Sequence, residues 1–585
     1  MLKLLRYLPK RERVLLIFTL ALILLQVFFD LALPTYMSHI TELVESPDSE
    51  IGEILALGAQ MLLTALGSLA AALLTAFFAA HVAASFSAAL RLAMYDKITA
   101  FSDKELASLK RASLLTRTTN DAMQVQVAVV LGLEVIVKAP LLCIWAAVRI
   151  ALGGFGWSLL AVGGTLLLLL VCALAIGLSM PHFRRMQRLA DDLSRITREQ
   201  VSGLHTIRAL AGERFEEARF ERTNEALTET HLYTAHTLSL LNPAIQLINS
   251  LLTLGVYFVG MLLINAAVPG ARLGIFSECV AFLSYVLRIV SAFTMVATAS
   301  TLLSRAAVSL RRIREVLDTP LLVVGGEDTP NEGARGELRF CGVSLFHDGA
   351  EEAVLRDVSF SVREGELFGI LGVSGSGKSA VASLIPRFRD PDKGAVLLNG
   401  LDVRSYGLSD LRARIGYVTQ EPQLFSATLR ENIAMGDGGG EALGDEELSV
   451  LLHAVGAEEL VASLPQREHT RLHTGGVNLS GGEAQRIAMA RALCGHPEVI
   501  VFDDSFSFFD TPTADRLRAS LADYCKGVTR IVVAQRIASL RGADRILVLD
   551  RGCVVGLGTH AELMESCALY RDIAAAQGSG VSAHG

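Results

Sequence analysis

The chain has 585 residues, 51% of them hydrophobic, and a formal net charge of −7 at pH 7. That length predicts more than one domain, a mean hydropathy of +0.43 is too apolar for an ordinary soluble enzyme, and the acidic balance excludes nucleic acid as the main partner. The eight cysteines (Cys143, Cys172, Cys279, Cys341, Cys494, Cys525, Cys553 and Cys567) form no CxxC pair, so a zinc site is not expected and buried thiols are.

The segment 1–13 is basic and amphipathic and predicts an interfacial helix. The apolar run behind it is too long for a signal peptide and lacks a small-residue cleavage site. About 20 apolar residues cross a bilayer, and six such spans are predicted, over about 14–36, 54–80, 130–150, 157–180, 241–265 and 274–300. Between Arg13 and Arg91 there is no lysine or arginine, and the first loop is acidic (Glu42, Glu45, Asp48, Glu50, Glu53). The positive-inside rule puts that loop outside and both the N-terminus and the C-terminal domain in the cytoplasm.

The two inside connections run from Arg91 to Gln126 and from Pro181 to His236. Unstructured loops of that length are uncommon, so the spans are expected to continue as helices beyond the membrane. Span six carries Glu278, Tyr285 and Arg288 near one helical face. Charges at that depth either line a pathway or pair with one another. A substrate path through these three is one reading, and a structural pair between Arg288 and an acid such as Asp30 is the other. The expected organisation is an interfacial helix (1–13), a six-helix membrane domain (14–318), a linker (319–336), an α/β nucleotide-binding domain (337–575) and a tail (576–585).

After the linker, the apolar run from Glu366 enters Gly372-Val-Ser-Gly-Ser-Gly-Lys-Ser379, which satisfies GxxxxGK[ST]. Glycines in such a loop let backbone N–H groups close on phosphates, the lysine reaches the outer phosphates, and the serine ligates Mg²⁺. Gly372, Ser374, Gly375, Ser376, Gly377, Lys378, Ser379 and Ala380 are therefore the candidate ATP-binding residues. Val499-Ile-Val-Phe-Asp503 reads as a buried strand ending in a carboxylate that can hold the Mg²⁺ water shell. Leu479-Ser-Gly-Gly-Glu483 precedes it and opens a helix.

The ordered set of loop, pentapeptide and strand resembles the ABC exporter half-transporters over essentially the whole chain. Ser113–Asp121 looks like the first cytoplasmic loop of that family, and Gln200–Glu213 looks like the second. The resemblance implies ATP and Mg²⁺ as cofactors, a lipid bilayer, a second half-transporter as partner, and a small-molecule, lipid or peptide substrate. By the same resemblance, Gln420 is the residue that senses Mg²⁺ and couples to the membrane helices. Ser480, Gly481, Gly482 and Glu483 would complete the opposite subunit's ATP site, and Asp510 would lie at the dimer seam.

Departures from the family pattern are informative. The glutamate that polarises the attacking water is replaced by Asp504, and the histidine of the switch loop by Gln535. The adenine-stacking aromatic falls on His347, with Phe346 adjacent, and the acidic position before the pentapeptide is Thr474. Asp504 and Gln535 together resemble the non-catalytic site of heterodimeric exporters, so hydrolysis at this chain's own site is expected to be slow. The favoured expectation is export of a lipophilic or amphipathic substrate by a heterodimer in a bacterial cytoplasmic membrane. Uptake of the siderophore type, a chiefly ATP-clamping regulatory subunit and a slow homodimer remain as alternatives.

Overall fold

A computed structural model describes residues 6–45, 50–152, 155–268, 272–328, 335–346, 352–437, 443–476 and 478–579. Two units emerge, one formed by Met1–Thr99 and Arg111–Asp318, the other by Ala100–Lys110 and Thr319–Gly585.

The first unit is helical, as lipid demands, because a spanning helix satisfies its own backbone polar groups. In chain order α1 (Lys10–Glu45) and α2 (Ile51–Thr99) precede α3 (Asp103–Leu109), which belongs to the second unit. The third span combines α4 (Arg111–Thr116), α5 (Ala122–Gly132) and α6 (Ala139–Leu152) through π-helical turns at Arg117–Asp121 and Leu133–Lys138. Then come α7 (Phe155–Ser202), α8 (Leu204–Ala209), α9 (Glu213–Ser239), α10 (Leu241–Ala266) and α11 (Arg272–Asp318). Among the described residues six helices are long and apolar enough to cross a membrane. α2 has 49 residues and α7 has 48, so each runs far beyond the roughly 20 a bilayer requires. Residues 6 and 7 form one turn before α1 begins at Lys10.

The membrane core joins α1, α6, α7, α10 and α11 through Ile23, Val27, Leu142, Ala146, Trp157, Val256 and Phe282. Close approach of α10 and α11 depends on Gly260, where a Cβ would overlap Cys279 Sγ. Leu62, Leu63, Leu69, Leu73 and Phe77 of α2 are each more than half exposed, as residues facing acyl chains are.

Two polar clusters interrupt this apolar packing, the first around the buried Asp30 and the second around the exposed Arg149. Ser68 Oγ donates to Asp30 Oδ1 at 2.6 Å, and Lys138 Nζ lies 3.8 Å from Asp30 Oδ2. The expected candidate partner for Arg288, Asp30, is thus engaged by Lys138, which the π-helical turn of span three presents to α1. At the far end of α6, Arg149 donates to Thr35 Oγ1 (2.7 Å) and to the Tyr285 hydroxyl (3.3 Å).

In the second unit α3 is closed by a capping box. The Ser102 amide donates to Glu105 Oε2 at 2.8 Å, and Glu105 Oε1 accepts from the Leu322 amide at 2.8 Å. Burial raises the Glu105 carboxyl, but the hydrogen bonds from Ser102 and Leu322 outweigh it and hold the pKa below the usual range. Ser113–Asp121, in contrast, lies on α4 and the π-turn of span three, just after this short helix.

The strands are β1 (Leu338–Phe346), β2 (Ala353–Val362), β3 (Leu367–Gly372), β4 (Lys393–Leu398), β5 (Leu401–Asp402), β6 (Ile415–Val418), β7 (Val499–Asp503), β8 (Thr529–Ala534), β9 (Arg545–Asp550) and β10 (Cys553–Gly558). They form a six-stranded sheet in the order β10-β9-β3-β8-β7-β6 and a four-stranded sheet in the order β2-β1-β4-β5. β9, β3, β8, β7 and β6 run parallel, and β7 is buried along its whole length. The helices around these sheets are α12 (Lys378–Leu384), α13 (Leu408–Ala413), α14 (Leu429–Ala434), α15 (Asp445–Ala454), α16 (Glu458–Ser463), α17 (Gly481–Cys494), α18 (Thr511–Tyr524), α19 (His560–Ser566) and α20 (Ala568–Ser579).

All eight cysteines are free, but burial does not extend to all of them: Cys279, Cys494, Cys525 and Cys567 are buried, whereas Cys341 is exposed. Cys341 follows buried Phe340 on β1, where alternation sends every second side chain to solvent.

Removing one member of a buried ion pair leaves an uncompensated charge and costs about 3 kcal/mol or more. Lys138→Met should therefore lower the melting temperature of the purified protein, and adding Asp30→Asn should recover most of the loss. Equal melting of Lys138→Met and the parent would show that the pair is not a structural tie.

Candidate functional site

The parallel sheet gathers the candidate residues on one edge. In the registers Leu371↔Ala534, Asp503↔Val533 and Val418↔Phe502, strands β3, β8, β7 and β6 end side by side. Gly372 closes β3, Gln535 follows β8, Asp503 closes β7 and Gln420 lies two residues past β6. Ligands of open α/β sheets bind beyond these carboxyl ends, where loops diverge and backbone groups are free.

The loop after β3 needs its glycines. Gly375 and Gly377 have φ of 80° and 100°, a region that side-chain-bearing residues rarely enter. At Gly377 a Cβ would also sit 2.7 Å from Leu355 Cδ2 and 3.0 Å from Val354 O. Lys378 is buried and its Nζ donates to Gly372 O and Val373 O, both at 2.8 Å. Burial lowers the ammonium pKa, against the opposing pull of Asp504 and Asp503. Among the described residues the buried Ser376 Oγ has no hydrogen-bond partner. A cradle with an orphaned hydroxyl and an ammonium resting on its own loop carbonyls fits an incoming phosphate.

Asp503 is buried, and its two oxygens are engaged separately. Oδ1 accepts from Ser379 Oγ at 3.4 Å and Oδ2 accepts from the Tyr417 hydroxyl at 3.0 Å. Burial raises the Asp503 pKa, while the hydrogen bonds from Tyr417 and Ser379 and the charge of Lys378 lower it, with burial prevailing. Tyr417 is pushed upward by burial and by the facing Asp503. No group of three or more His, Cys, Asp or Glu among the described residues is placed to hold a metal ion. The hydroxyl of Ser379 and the carboxylate of Asp503 nevertheless suit Mg²⁺, which takes few protein ligands and completes its shell with water and phosphate oxygens.

Asp504 turns away from the strand with φ 49°, a left-handed conformation that aspartate tolerates better than most residues. Its amide donates to Val533 O at 3.0 Å, and its Oδ2 accepts from Gln535 Nε2 at 3.3 Å. Burial raises this carboxyl too, opposed by Lys378. Asp504 and Gln535 share the border of a cavity of about 180 Å³ that also touches Phe506 and Arg518. Gln420 is exposed at the bend after β6.

Ser480 caps α17 with a complete capping box: its amide donates to Glu483 Oε2 at 2.7 Å, and the Glu483 amide donates to Ser480 Oγ at 3.3 Å. Glu483, where the family pattern has glutamine, thereby closes the helix start, and Ser480 and Gly481 face solvent. Among the described residues no hydrogen bond or ion pair joins this turn to the phosphate loop of the same chain. Asp510 caps α18, and its carboxyl is held low by Thr513. Phe346 ends β1, its amide donating to Asp392 Oδ2 at 2.8 Å. His347 and the side chain of Thr474 lie outside the described residues.

Glu278 and Tyr285 meet in the membrane unit, bordering a cavity of about 290 Å³ with Arg149; Arg288 does not border it. Sequence reading missed Tyr417 and Arg149. Tyr417 carries no motif of its own and is revealed only by the β6–β7 register. Arg149 was readable as a charge at the end of span three, but its neighbours on α1 and α11 were not.

Residues 16–290 match the family described as ABC transporter transmembrane region, and residues 355–507 match the family described as ABC transporter. An uncharacterized ABC transporter ATP-binding protein of Mycobacterium tuberculosis is 35% identical over 505 residues, covering 86% of this chain and 85% of that protein. The ATP-dependent lipid A-core flippase of Pseudomonas aeruginosa is 30% identical, over 83% of this chain and 79% of its own. A bacterial Atm1-family ABC exporter solved with ATP bound has the same fold, with a TM-score of 0.80 at 23% identity, covering 97% of this chain and 99% of that one.

Lys378→Ala should weaken nucleotide binding at this site by about tenfold or more, the loss expected of a charge-assisted hydrogen bond. Fluorescent-nucleotide titration checks this, and unchanged affinity would remove the phosphate-loop assignment.

Proposed function

Because the chain belongs to the ABC transporter family, with an exporter-type membrane region and one ATPase domain in a half-transporter, we propose that it is the slow-site subunit of a heterodimeric exporter. It is a multi-pass integral membrane protein that binds ATP with Mg²⁺ and serves ATP-driven transport. The proposed substrate is lipophilic or amphipathic, a reading supported by the relatives named as lipid A-core flippases. In this reading the N-terminus and the ATPase domain lie on the cytoplasmic side of a bacterial inner membrane.

The roles follow from the edge of the sheet. Backbone amides of Gly375–Lys378 surround the phosphates, Lys378 neutralises the outer ones, and Ser376 supplies its hydroxyl. Ser379 and Asp503 hold Mg²⁺, and Gln420 reports its presence to the membrane helices. Phe346 or His347 stacks on adenine. Ser480, Gly481, Gly482 and Glu483 complete the partner's site, while Asp510 lies along the seam.

The observation that carries the slow-site assignment is the Asp504–Gln535 hydrogen bond at 3.3 Å. Aspartate sets its carboxylate roughly 1.5 Å behind the position glutamate reaches, and displacement near 1 Å costs about 10²-fold in rate. Gln535 occupies that carboxylate further and cannot change charge as histidine can. The phosphate-holding groups are all present, so nucleotide should bind and linger. The intact capping box at Ser480 then serves a partner whose own site carries the glutamate and histidine.

In the purified heterodimer, Asp504→Ala should reduce ATPase by less than about twofold, since it alters the site that is already slow. Ser480→Arg should nearly abolish turnover by filling the partner's site. Vigorous ATPase from a homodimer of this chain, lost on Asp504→Asn, would overturn the assignment.

A further inference from the structure

We propose that the cavity bounded by Arg149 and Glu278 is a headgroup site for a zwitterion, taking a phosphate or carboxylate at Arg149 and an amine at Glu278. The proposal rests on the transport reading and goes beyond it by naming the chemistry recognised. Arg149 lies three residues from the end of α6 at Leu152, and Glu278 six residues after the start of α11 at Arg272. At 1.5 Å per residue these are about 5 and 9 Å from the ends of their own helices.

The two charges share one cavity but do not neutralise each other. The Arg149 guanidinium is held by neutral hydroxyls, Thr35 Oγ1 at 2.7 Å and Tyr285 at 3.3 Å. Among the described residues neither Arg149 nor Glu278 forms an ion pair within 4.0 Å. Thr35 and Tyr285 are themselves 3.2 Å apart, and the Tyr285 hydroxyl also lies 3.5 Å from Leu31 O. The hydroxyl network therefore engages the Nε/Nη2 edge of the guanidinium without satisfying its charge, leaving the Nη1/Nη2 edge for a bidentate anion.

Two further aromatic residues line the same cavity. Trp157 and Phe282 are both buried and pack with ring centroids 5.1 Å apart. A volume of about 290 Å³ is at the small end of ligand pockets, so a headgroup fits and a whole amphiphile does not. A lone anion would leave Glu278 facing it, and a lone cation would face Arg149. Only a ligand carrying both charges meets both walls. The same chemistry is offered by an aminophosphate lipid and by a soluble zwitterion.

The transporter in non-ionic detergent, with Trp145→Phe leaving Trp157 as the reporter of this chain and the same complex with Trp157→Phe as the background, separates these cases. Titration with lysophosphatidylethanolamine should change Trp157 fluorescence saturably. Lysophosphatidic acid and a long-chain alkylamine should bind at least about tenfold more weakly, because each leaves one charge opposed. Phosphoethanolamine matching the lysolipid would identify a soluble zwitterion as the source; weaker binding would identify a lipid. Arg149→Ala should abolish the preference for the zwitterion, Arg149→Lys should keep part of it, and Arg149→Glu with Glu278→Arg should restore it if the single variants fold poorly. Equal response to all probes, no response to any, or an unchanged preference in Arg149→Ala would overturn the site and leave Arg149 as a residue that merely reaches the headgroup layer. ATP-driven movement of a fluorescent amphiphile in vesicles is scored separately. Its absence alongside saturable zwitterion binding would sink the transport reading while sparing the site.

Discussion

The constraint on which the ATPase domain depends is the common ending of four parallel strands. β3, β8, β7 and β6 stop in register, so Gly372, Gln535, Asp503 and the approach to Gln420 share one edge. A parallel sheet buried on both faces leaves polar side chains few places except that edge. Asp503 is the case in point: its strand is apolar throughout, and the carboxylate appears only where the chain leaves the sheet. Burial there raises its pKa, and Tyr417 and Ser379 supply hydrogen bonds that keep a buried acid tolerable. Shift one strand by a residue and Asp503 would point to the opposite face, away from Ser379.

The membrane unit obeys a different rule with the same consequence. Its apolar packing fixes five helices against one another, and polar groups appear where packing lets several helices converge. Asp30 is held by Ser68 of α2 and Lys138 of the π-helical turn, which joins three spans through one carboxylate. Arg149, Thr35 and Tyr285 join the third span to α1 and α11. The first cluster contains both signs of charge and is self-sufficient. The second holds its cation by hydroxyls alone, which is why the two clusters do not read as equivalent.

How much was legible in the sequence follows from whether a feature is local. The phosphate loop was legible because its glycines, Lys378 and Ser379 are contiguous and their chemistry requires that order. Asp503 was legible as the end of an apolar strand, and the spans as runs of sufficient length. Tyr417 was not, because nothing near residue 417 reveals that β6 lies beside β7. Lys138 was not matched to Asp30, because a π-helical turn changes which face span three presents, and a regular period gives no sign of it. The short helix α3 lies before Ser113–Asp121, the stretch that resembled the first cytoplasmic loop, because the capping box of Ser102 and Glu105 starts it there. Asp504 and Gln535 were both named from the sequence, but their mutual hydrogen bond needed β7 and β8 side by side.

That hydrogen bond also shows how the departures are distributed. Groups proposed to hold phosphate and metal (the loop glycines, Ser376, Lys378, Ser379 and Asp503) are present with workable geometry. The capping box that presents Ser480 is closed by Glu483 even though this residue departs from the usual glutamine. What differs are Asp504 and Gln535, the two groups proposed to orient and polarise water, and they are hydrogen-bonded to each other. A loss of function without a purpose would fall on binding and hydrolysis alike. Binding without prompt hydrolysis prolongs the state in which a nucleotide bridges two subunits, because release must wait on chemistry that is slow. In the proposed heterodimer such a site would stabilise the closed pair for longer than a fast one could, and would let a second, fast site cycle against a partner that stays engaged. The division of labour proposed for this chain therefore follows from which side chains changed and which did not.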